Sequence, residues 1–344
     1  MGGLYQNSFY FENVTEAFTS IMTCCEIFQK NKFPIIVIES KNGGGYGMIG
    51  LLLIEFLNTA IDTTEYLSYK PDKIVFEEGF GHTNPDTCET ANPIKDQRTE
   101  TDDYGDGITH IRTPIYNFYD KYTKTAFNHD RNILYARYGN KKPTDIIVFT
   151  DGFSFSATSI FLKLLQYSGG AITVGYFGNP KKRDKVIFDS SQSPSAIIST
   201  PQLANFSSDF KELNQKYKLN MQFAYMQSFY DYNSSFSFPL EYEITPVDET
   251  MLLFENFNES TNLDKFVEYG IKIREKYKTE CNSNNKKLYL LDEKCHFEDK
   301  HMHGGYICGT DGKWNFSKCV PTYCDINYIF DHVNQKCVFN YCSI

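Results

Sequence analysis

Two apolar runs, each followed by a tight turn and then an apolar helical stretch, set the limits on how this chain folds. Pro34-Ile-Ile-Val-Ile-Glu39 leads into the glycine turn Asn42-Gly-Gly-Gly-Tyr-Gly47 and a helix expected over residues 48–58. Asp145-Ile-Ile-Val-Phe-Thr150 leads into Asp151-Gly-Phe-Ser-Phe-Ser156 and a helix expected to reach Gln166, with Gly169-Gly170 as its stop and a further strand over 171–175. Runs of β-branched residues without polar alternation are strands buried on both faces, and such strands belong to parallel sheets whose crossovers are helices. An α/β fold with right-handed crossovers follows. In such a sheet the ligand site lies beyond the carboxyl ends of the strands, which is where both turns fall.

The remaining elements read less sharply. Phe18, Ile21, Met22, Cys25 and Phe28 carry helical spacing within 9–30, Lys73-Ile-Val-Phe-Glu77 has the pattern of a strand, and residues 115–127 that of a helix. Residues 81–106, with Pro85, Pro93 and the run Thr99-Glu-Thr-Asp-Asp103, read as a polar loop or flap. A chain of 344 residues has room for one large domain and a small module, or for two medium domains. Its net charge of −9 argues against nucleic acid and anionic membrane partners, since the one basic cluster is Lys181-Lys182-Arg183. No apolar run is long enough to span a bilayer.

Cysteine usage divides the chain. Seven of the ten cysteines, Cys281, Cys295, Cys308, Cys319, Cys324, Cys337 and Cys342, follow residue 280, where aliphatic residues are few. That density reads as a disulfide-stapled module formed in an oxidising compartment, so the boundaries expected are a core over 1–275 and a cysteine-rich module over 276–344. Glycosylation sequons at Asn13, Asn205, Asn233, Asn258 and Asn315 agree with a secreted or cell-surface location. The start, Met1-Gly-Gly-Leu-Tyr, has neither the basic n-region nor the apolar h-region of a signal peptide, and the chain is expected to be the C-terminal part of a longer protein. His296, His301 and His303 could bind zinc, but cysteines committed to disulfides could not join them, and no metal or cofactor is called for.

Ser156 stands where a buried strand hands over to a helix, a junction that exposes a hydroxyl and aims free helix N–H groups at what it attacks. The glycine turn could cradle a phosphate instead, but it has neither the nucleotide-loop nor the dinucleotide-turn spacing. Asp151-x-x-Ser-x-Ser156 could bind a hard cation as an adhesion-type metal site does, yet it is one residue too long for Asp-x-Ser-x-Ser.

Taken as an ordered pair, 34–45 and 146–161, closing with Thr173-Val-Gly175, these motifs resemble the tail-specific (C-terminal-processing) serine peptidases. The resemblance covers roughly residues 5–270. It implies a crotonase-like core, a nucleophile at Ser156, and an oxyanion hole made by the N–H of Ala157 and of Gly44 or Gly45. Phe155 and Ser159 depart from the Ala and Glu usual in that family. Two ways of activating the serine are known there. One uses a lysine 25 residues downstream, which is Lys181, flanked by Lys182 and Arg183; a base must be a neutral amine, and crowding by positive charge favours that form. The other, the tricorn-core and chlamydial-protease-like branch, uses a histidine and a glutamate. Phe238-Pro-Leu-Glu-Tyr-Glu-Ile-Thr-Pro246 looks like that branch and nominates Glu241, then Glu243; its histidine lies before the glycine turn, where this chain has none ahead of His82, so on that branch the base is expected to be missing from this chain. His82 and His110 themselves read as solvated loop residues.

Two functions are therefore expected to compete: a serine endopeptidase acting on proteins or peptides, and a non-catalytic relative that binds a partner at a cell surface. The tail bears on the second. Gly304-Gly-Tyr-Ile-Cys308, Gly312-Lys-Trp314 and Cys319-Val-Pro321 look like the second half of a sushi-like module, with a disulfide knot that merely caps the domain as the alternative.

Overall fold

A computed structural model describes residues 2–6, 13–31, 33–58, 66–69, 82–84, 87–91, 98–118, 121–176, 188–191, 193, 196–204, 208–230, 238–252, 259–325, 327–331 and 334–339. The first elements along the chain are β1 (Gly2–Gln6), α1 (Val14–Lys30), β2 (Ile35–Glu39), α2 (Gly47–Leu57) and β3 (Tyr66–Tyr69). Short strands follow: β4 (His82–Thr83), β5 (Thr90–Ala91), β6 (Glu100–Asp103), β7 (Thr109–Arg112) and β8 (Tyr116–Asn117). Next come α3 (Lys121–Tyr138), β9 (Ile146–Thr150), α4 (Ala157–Tyr167) and β10 (Ile172–Tyr176). Then β11 (Ala196–Ser199), α5 (Thr200–Leu203), α6 (Ser208–Tyr217), β12 (Gln222–Phe229), β13 (Glu249–Met251) and α7 (Glu259–Lys276) precede the tail. The tail holds β14 (Leu290–Leu291), β15 (Met302–Tyr306), β16 (Val320–Cys324), β17 (Tyr328–Asp331) and β18 (Lys336–Phe339).

The chain forms two compact units, one of residues 1–63, 125–192 and 244–344, the other of 64–124 and 193–243. Unit 1 is built on a five-stranded sheet in the order β1-β2-β9-β10-β13, parallel throughout. Every residue of β2, β9 and β10 is buried, which is why their sequences are continuous apolar runs. Side chains alternate between faces. Ile36, Ile38, Ile147, Phe149, Ile172, Val174 and Tyr176 share one face with Phe266 and Ile273 of α7 and with Tyr277 just beyond it. Gly270 lets α7 approach closely, since a Cβ there would lie 2.7 Å from Ile36 Cδ1. Ile35, Val37, Glu39, Ile146, Val148 and Thr150 therefore point to the other face. Helices α2 and α4 pack against each other, and their buried lengths explain why both sequences are apolar almost all round.

The cysteine-rich tail shares this core. Cys281, Leu288 and Trp314 belong to the same buried cluster as β2, β9 and α7, and Trp314 Nε1 donates to the carbonyl of Tyr277 at 2.9 Å. The boundary expected at 275/276 thus falls inside unit 1. Three disulfides are present among the described residues: Cys281–Cys308, Cys295–Cys319 and Cys324–Cys337, the first two crossing one another in sequence. Cys88 is disulfide-bonded as well, while Cys24 and Cys25 are free thiols. Asn13 and Asn315 are exposed; the sequons at Asn205, Asn233 and Asn258 lie outside the described residues. No helix among the described residues is long and apolar enough to cross a membrane.

Unit 2 carries a six-stranded sheet in the order β11-β12-β3-β8-β4-β5 and a separate hairpin, β6–β7. This corrects the loop expected over 81–106, which contains β4, β5 and β6. Cross-strand charge pairing holds the hairpin: Arg112 of β7 bonds Asp102 and lies 2.8 Å from Glu100, both on β6. The helix expected over 115–127 starts later, at Lys121, after Tyr116 and Asn117 have joined the sheet as β8. The strand expected over 73–77 lies outside the described residues.

Candidate active site

Parallel pairing of β2 with β9 puts Glu39 beside Thr150, so both strands end at the same edge and the turns that follow lie together. Backbone contacts join them: the Lys41 N–H donates to Asp151 Oδ2 at 2.7 Å, and the Phe155 N–H donates to the Asn42 carbonyl at 3.0 Å. Asp151 Oδ1 accepts the Phe153 N–H at 2.9 Å. Both carboxylate oxygens of Asp151 are thereby turned onto backbone amides, an arrangement unlike a cation site.

Ser156 occupies φ 53°, ψ −124° at the head of α4. A side chain at positive φ with that ψ is outside the ordinary left-handed well and costs about 1–3 kcal/mol, which the surroundings must impose. Several contacts do so. Thr150 Oγ1 accepts the Gly152 N–H at 3.1 Å and donates to the Ser190 carbonyl at 3.1 Å; Ser191 Oγ donates to the Ser154 carbonyl at 2.8 Å. Ser156 is half-buried, while the Ala157 N–H heads a helix whose first amides have no helical acceptor.

Gly44 closes the other side. A Cβ built on it would lie 2.6 Å from the Phe155 carbonyl oxygen, 2.8 Å from Ser156 Cβ and 3.0 Å from the Ala157 nitrogen, and its φ is +88°. Only glycine permits that approach. Asn42 sets the turn: its Oδ1 accepts the Gly44 N–H at 3.0 Å, and its Nδ2 donates to Glu39 Oε2 at 2.7 Å. Glu39 is fully buried, and its Oε1 has no hydrogen-bond partner. Burial, with the Asp151 charge adding to it, pushes the Glu39 carboxyl up from 4.5 to about 8 although the Asn42 bond opposes the shift. Because the folded value is the higher one, this group's contribution to stability is complete below about 4.5 and is lost as pH rises through about 8.

Beneath the serine turn runs a buried ion pair. Lys163 Nζ of α4 lies 3.4 Å from Asp189 Oδ1, with side chains 1% and 5% exposed. The same oxygen accepts the Thr245 hydroxyl at 3.1 Å and the Ser191 N–H at 3.3 Å. Segment 188–191 is in this way tied both to the helix that follows Ser156 and to the turn that precedes it.

The structure brings together Ser156, Ala157 and Gly44, and Gly45 follows Gly44 in the turn, exposed and at φ +142°. Lys181 lies outside the described residues. Glu241 and Glu243 belong to unit 2, where Glu241 is half-buried near Tyr104 and Tyr242. His110 is on β7 rather than in a loop, its Nε2 2.8 Å from Asp106 and its ring tilted against Tyr104; the backbone of His82 is in β4. His301 and His303 share the carboxylate of Asp325, at 3.0 Å and 2.5 Å. They stand at the opposite edge of the sheet, since Tyr323, stacked on His303, bonds Asn140 ahead of β9 and β14 meets the turn Pro143–Asp145. That puts them at least a strand length, roughly 15 Å, from Ser156. No group of three or more His, Cys, Asp or Glu among the described residues is disposed to hold a metal.

Glu39, Asn42, Lys163, Asp189 and Ser191 were not singled out from sequence. A signal existed for two of them: Glu39 ends a strand that is otherwise wholly apolar, and Lys163 interrupts the apolar run of α4. In comparisons with known proteins, neither a family model nor a curated protein matches the chain.

Proposed function

We propose that this chain is the catalytic domain of a serine-type endopeptidase with a crotonase-like core. The observation that carries the reading is the backbone of Ser156, strained at a strand-helix junction, with Gly44 fitted against its Cβ and against the Ala157 nitrogen. Stored strain of that kind is characteristic of functional turns. Ser156 Oγ attacks a peptide carbonyl, forming an ester bond; as the C–N bond breaks, the proton from the hydroxyl passes through a base to the leaving amine. Water then hydrolyses the ester. With the Gly44 N–H given to Asn42, the donors assigned to the oxyanion are the N–H groups of Ala157 and Gly45. Lys181 is the base this reading favours, and Glu241 is retained as a carboxylate to test. Disulfides and exposed sequons support a secreted or cell-surface setting, with a protein or peptide as substrate and the tail free to meet a surface partner.

A second reading, a non-catalytic surface-binding relative, is favoured by one observation: the tail histidines, which are part of unit 1, stand at the far edge of the sheet. Hydrolysis of internally quenched peptides separates the two. Ser156→Ala is expected to lower turnover about 10³-fold or more. Unchanged turnover in that variant would remove Ser156 from the mechanism, and no turnover in either protein favours the binding reading.

A further inference from the structure

Glu39 is the most unusual side chain near the site, and the hydrolytic reading leaves it without a task. It is fully buried at the end of β2, and its Oε1 has no partner. Its Oε2 holds Asn42, which in turn holds the Gly44 N–H through its side chain and the Phe155 N–H through its carbonyl. Asn42 therefore links one carboxyl group to both turns of the candidate site.

We propose that Glu39 is a positioning residue: its neutral carboxyl group, acting through Asn42, clamps the glycine turn onto the serine turn, and its ionisation releases that clamp. The proposal rests on the endopeptidase reading for its catalytic consequence, but not for its structural one. The groups that face Glu39 make ionisation unfavourable. From the end of β9 comes the buried carboxylate of Asp151; from β10 comes the Tyr176 hydroxyl, which donates to the Glu39 backbone carbonyl at 2.9 Å and not to the carboxyl. Lys41 follows closely in sequence, but its side chain is exposed and its backbone N–H is what meets Asp151. No lysine, arginine or histidine among the described residues forms an ion pair with Glu39.

An ionised Glu39 would set a second negative charge beside Asp151 in a dry site, with one oxygen lacking any donor. Opening the glycine turn to water relieves both problems. It also draws Asn42 away from Gly44 and Phe155, which loosens the approach of Gly44 to Ser156 and the placement of the Gly45 N–H. Since the Glu39 carboxyl is pushed up to about 8, the release belongs to mildly alkaline pH.

Hydrogen exchange of the full chain, read on peptides covering residues 41–46 and corrected for the intrinsic pH dependence, tests this directly. Glu39→Gln keeps an acceptor for Asn42 and cannot ionise. The ratio of wild-type to Glu39→Gln exchange is expected to rise by up to about 100-fold from pH 6 to pH 9, because an opened, solvated Glu39 with an ordinary carboxyl gains about tenfold per pH unit until the closed form itself ionises near 8. Glu39→Ala, which frees Asn42, is expected to exchange about tenfold faster than wild type already at pH 6. A flat ratio from pH 6 to 9, or Glu39→Ala exchanging as wild type does, overturns the proposal. Fluorophosphonate labelling of Ser156 across the same range supplies the catalytic half: the wild-type rate relative to Glu39→Gln is expected to fall above pH 8. Absence of labelling in wild type would refute the endopeptidase reading alone, and the exchange ratio would still decide the role of Glu39.

Discussion

Gly44→Ala is expected to lower hydrolysis, and labelling of Ser156, by about 100-fold or more. The added Cβ would fall 2.6 Å from the Phe155 carbonyl oxygen and 2.8 Å from Ser156 Cβ, distances that real side chains do not sustain. Its φ of +88° adds about 1–3 kcal/mol of backbone strain. Neither turn can yield easily, because Asn42 is bonded to both and Ser191 holds the Ser154 carbonyl. The turns must separate, and a displacement of about 1 Å at a catalytic donor is enough for a loss of that size. Gly43→Ala is the control. Nothing lies within 4 Å of the Cβ it would gain, so its rate should stay within about twofold of wild type. Equal losses in the two variants would mean that the glycine turn is merely intolerant of side chains and that Gly44 has no special place against Ser156.

The second large effect concerns the ion pair under the serine turn. Lys163→Met leaves Asp189 charged and nearly fully buried without its cation, a change that costs about 3–5 kcal/mol and lowers the melting temperature by roughly 6–20 °C. Combining Lys163→Met with Asp189→Leu removes both charges and should recover most of that stability, since buried pairs are often replaceable by apolar side chains. Rate and stability should then part company. Asp189 also accepts from Ser191 and Thr245, and Ser191 fixes the Ser154 carbonyl, so the double variant is expected to melt near wild type yet label Ser156 more slowly. Recovery of both together would show that the network supports the fold alone.

How much of this was legible beforehand depended on burial. Ile35-Ile-Val-Ile and Ile146-Ile-Val-Phe announced themselves because a strand covered on both faces tolerates no polar alternation, and the two turns after them follow directly from parallel pairing. The strand Gly2–Gln6 had no such signal; it joins the edge of the sheet through pairing with β2, a non-local contact. Hairpin β6–β7 escaped for the opposite reason. Glu100, Thr101 and Asp103 are exposed, so the strand reads as a solvated loop, and what holds it, Arg112 to Asp102 and Glu100, is fixed only once the chain has folded back. Trp314 was read as part of a tail module, yet its burial against Tyr277 draws that tail into the core of unit 1. At the site, the serine and the glycines were legible from type and order. Glu39, Lys163 and Asp189 were not, because Lys163 and Asp189 take their meaning from a pairing made only once the chain has folded, and Glu39 from its burial beside Asp151.

The most direct measurement is covalent: the full chain treated with a fluorophosphonate, digested and analysed by mass spectrometry for the modified residue. A single adduct on Ser156, lost on heat denaturation and in Ser156→Ala, is the predicted result. No adduct on the native protein, or one that persists in Ser156→Ala, would contradict the assignment of Ser156 as a nucleophile activated by its turn.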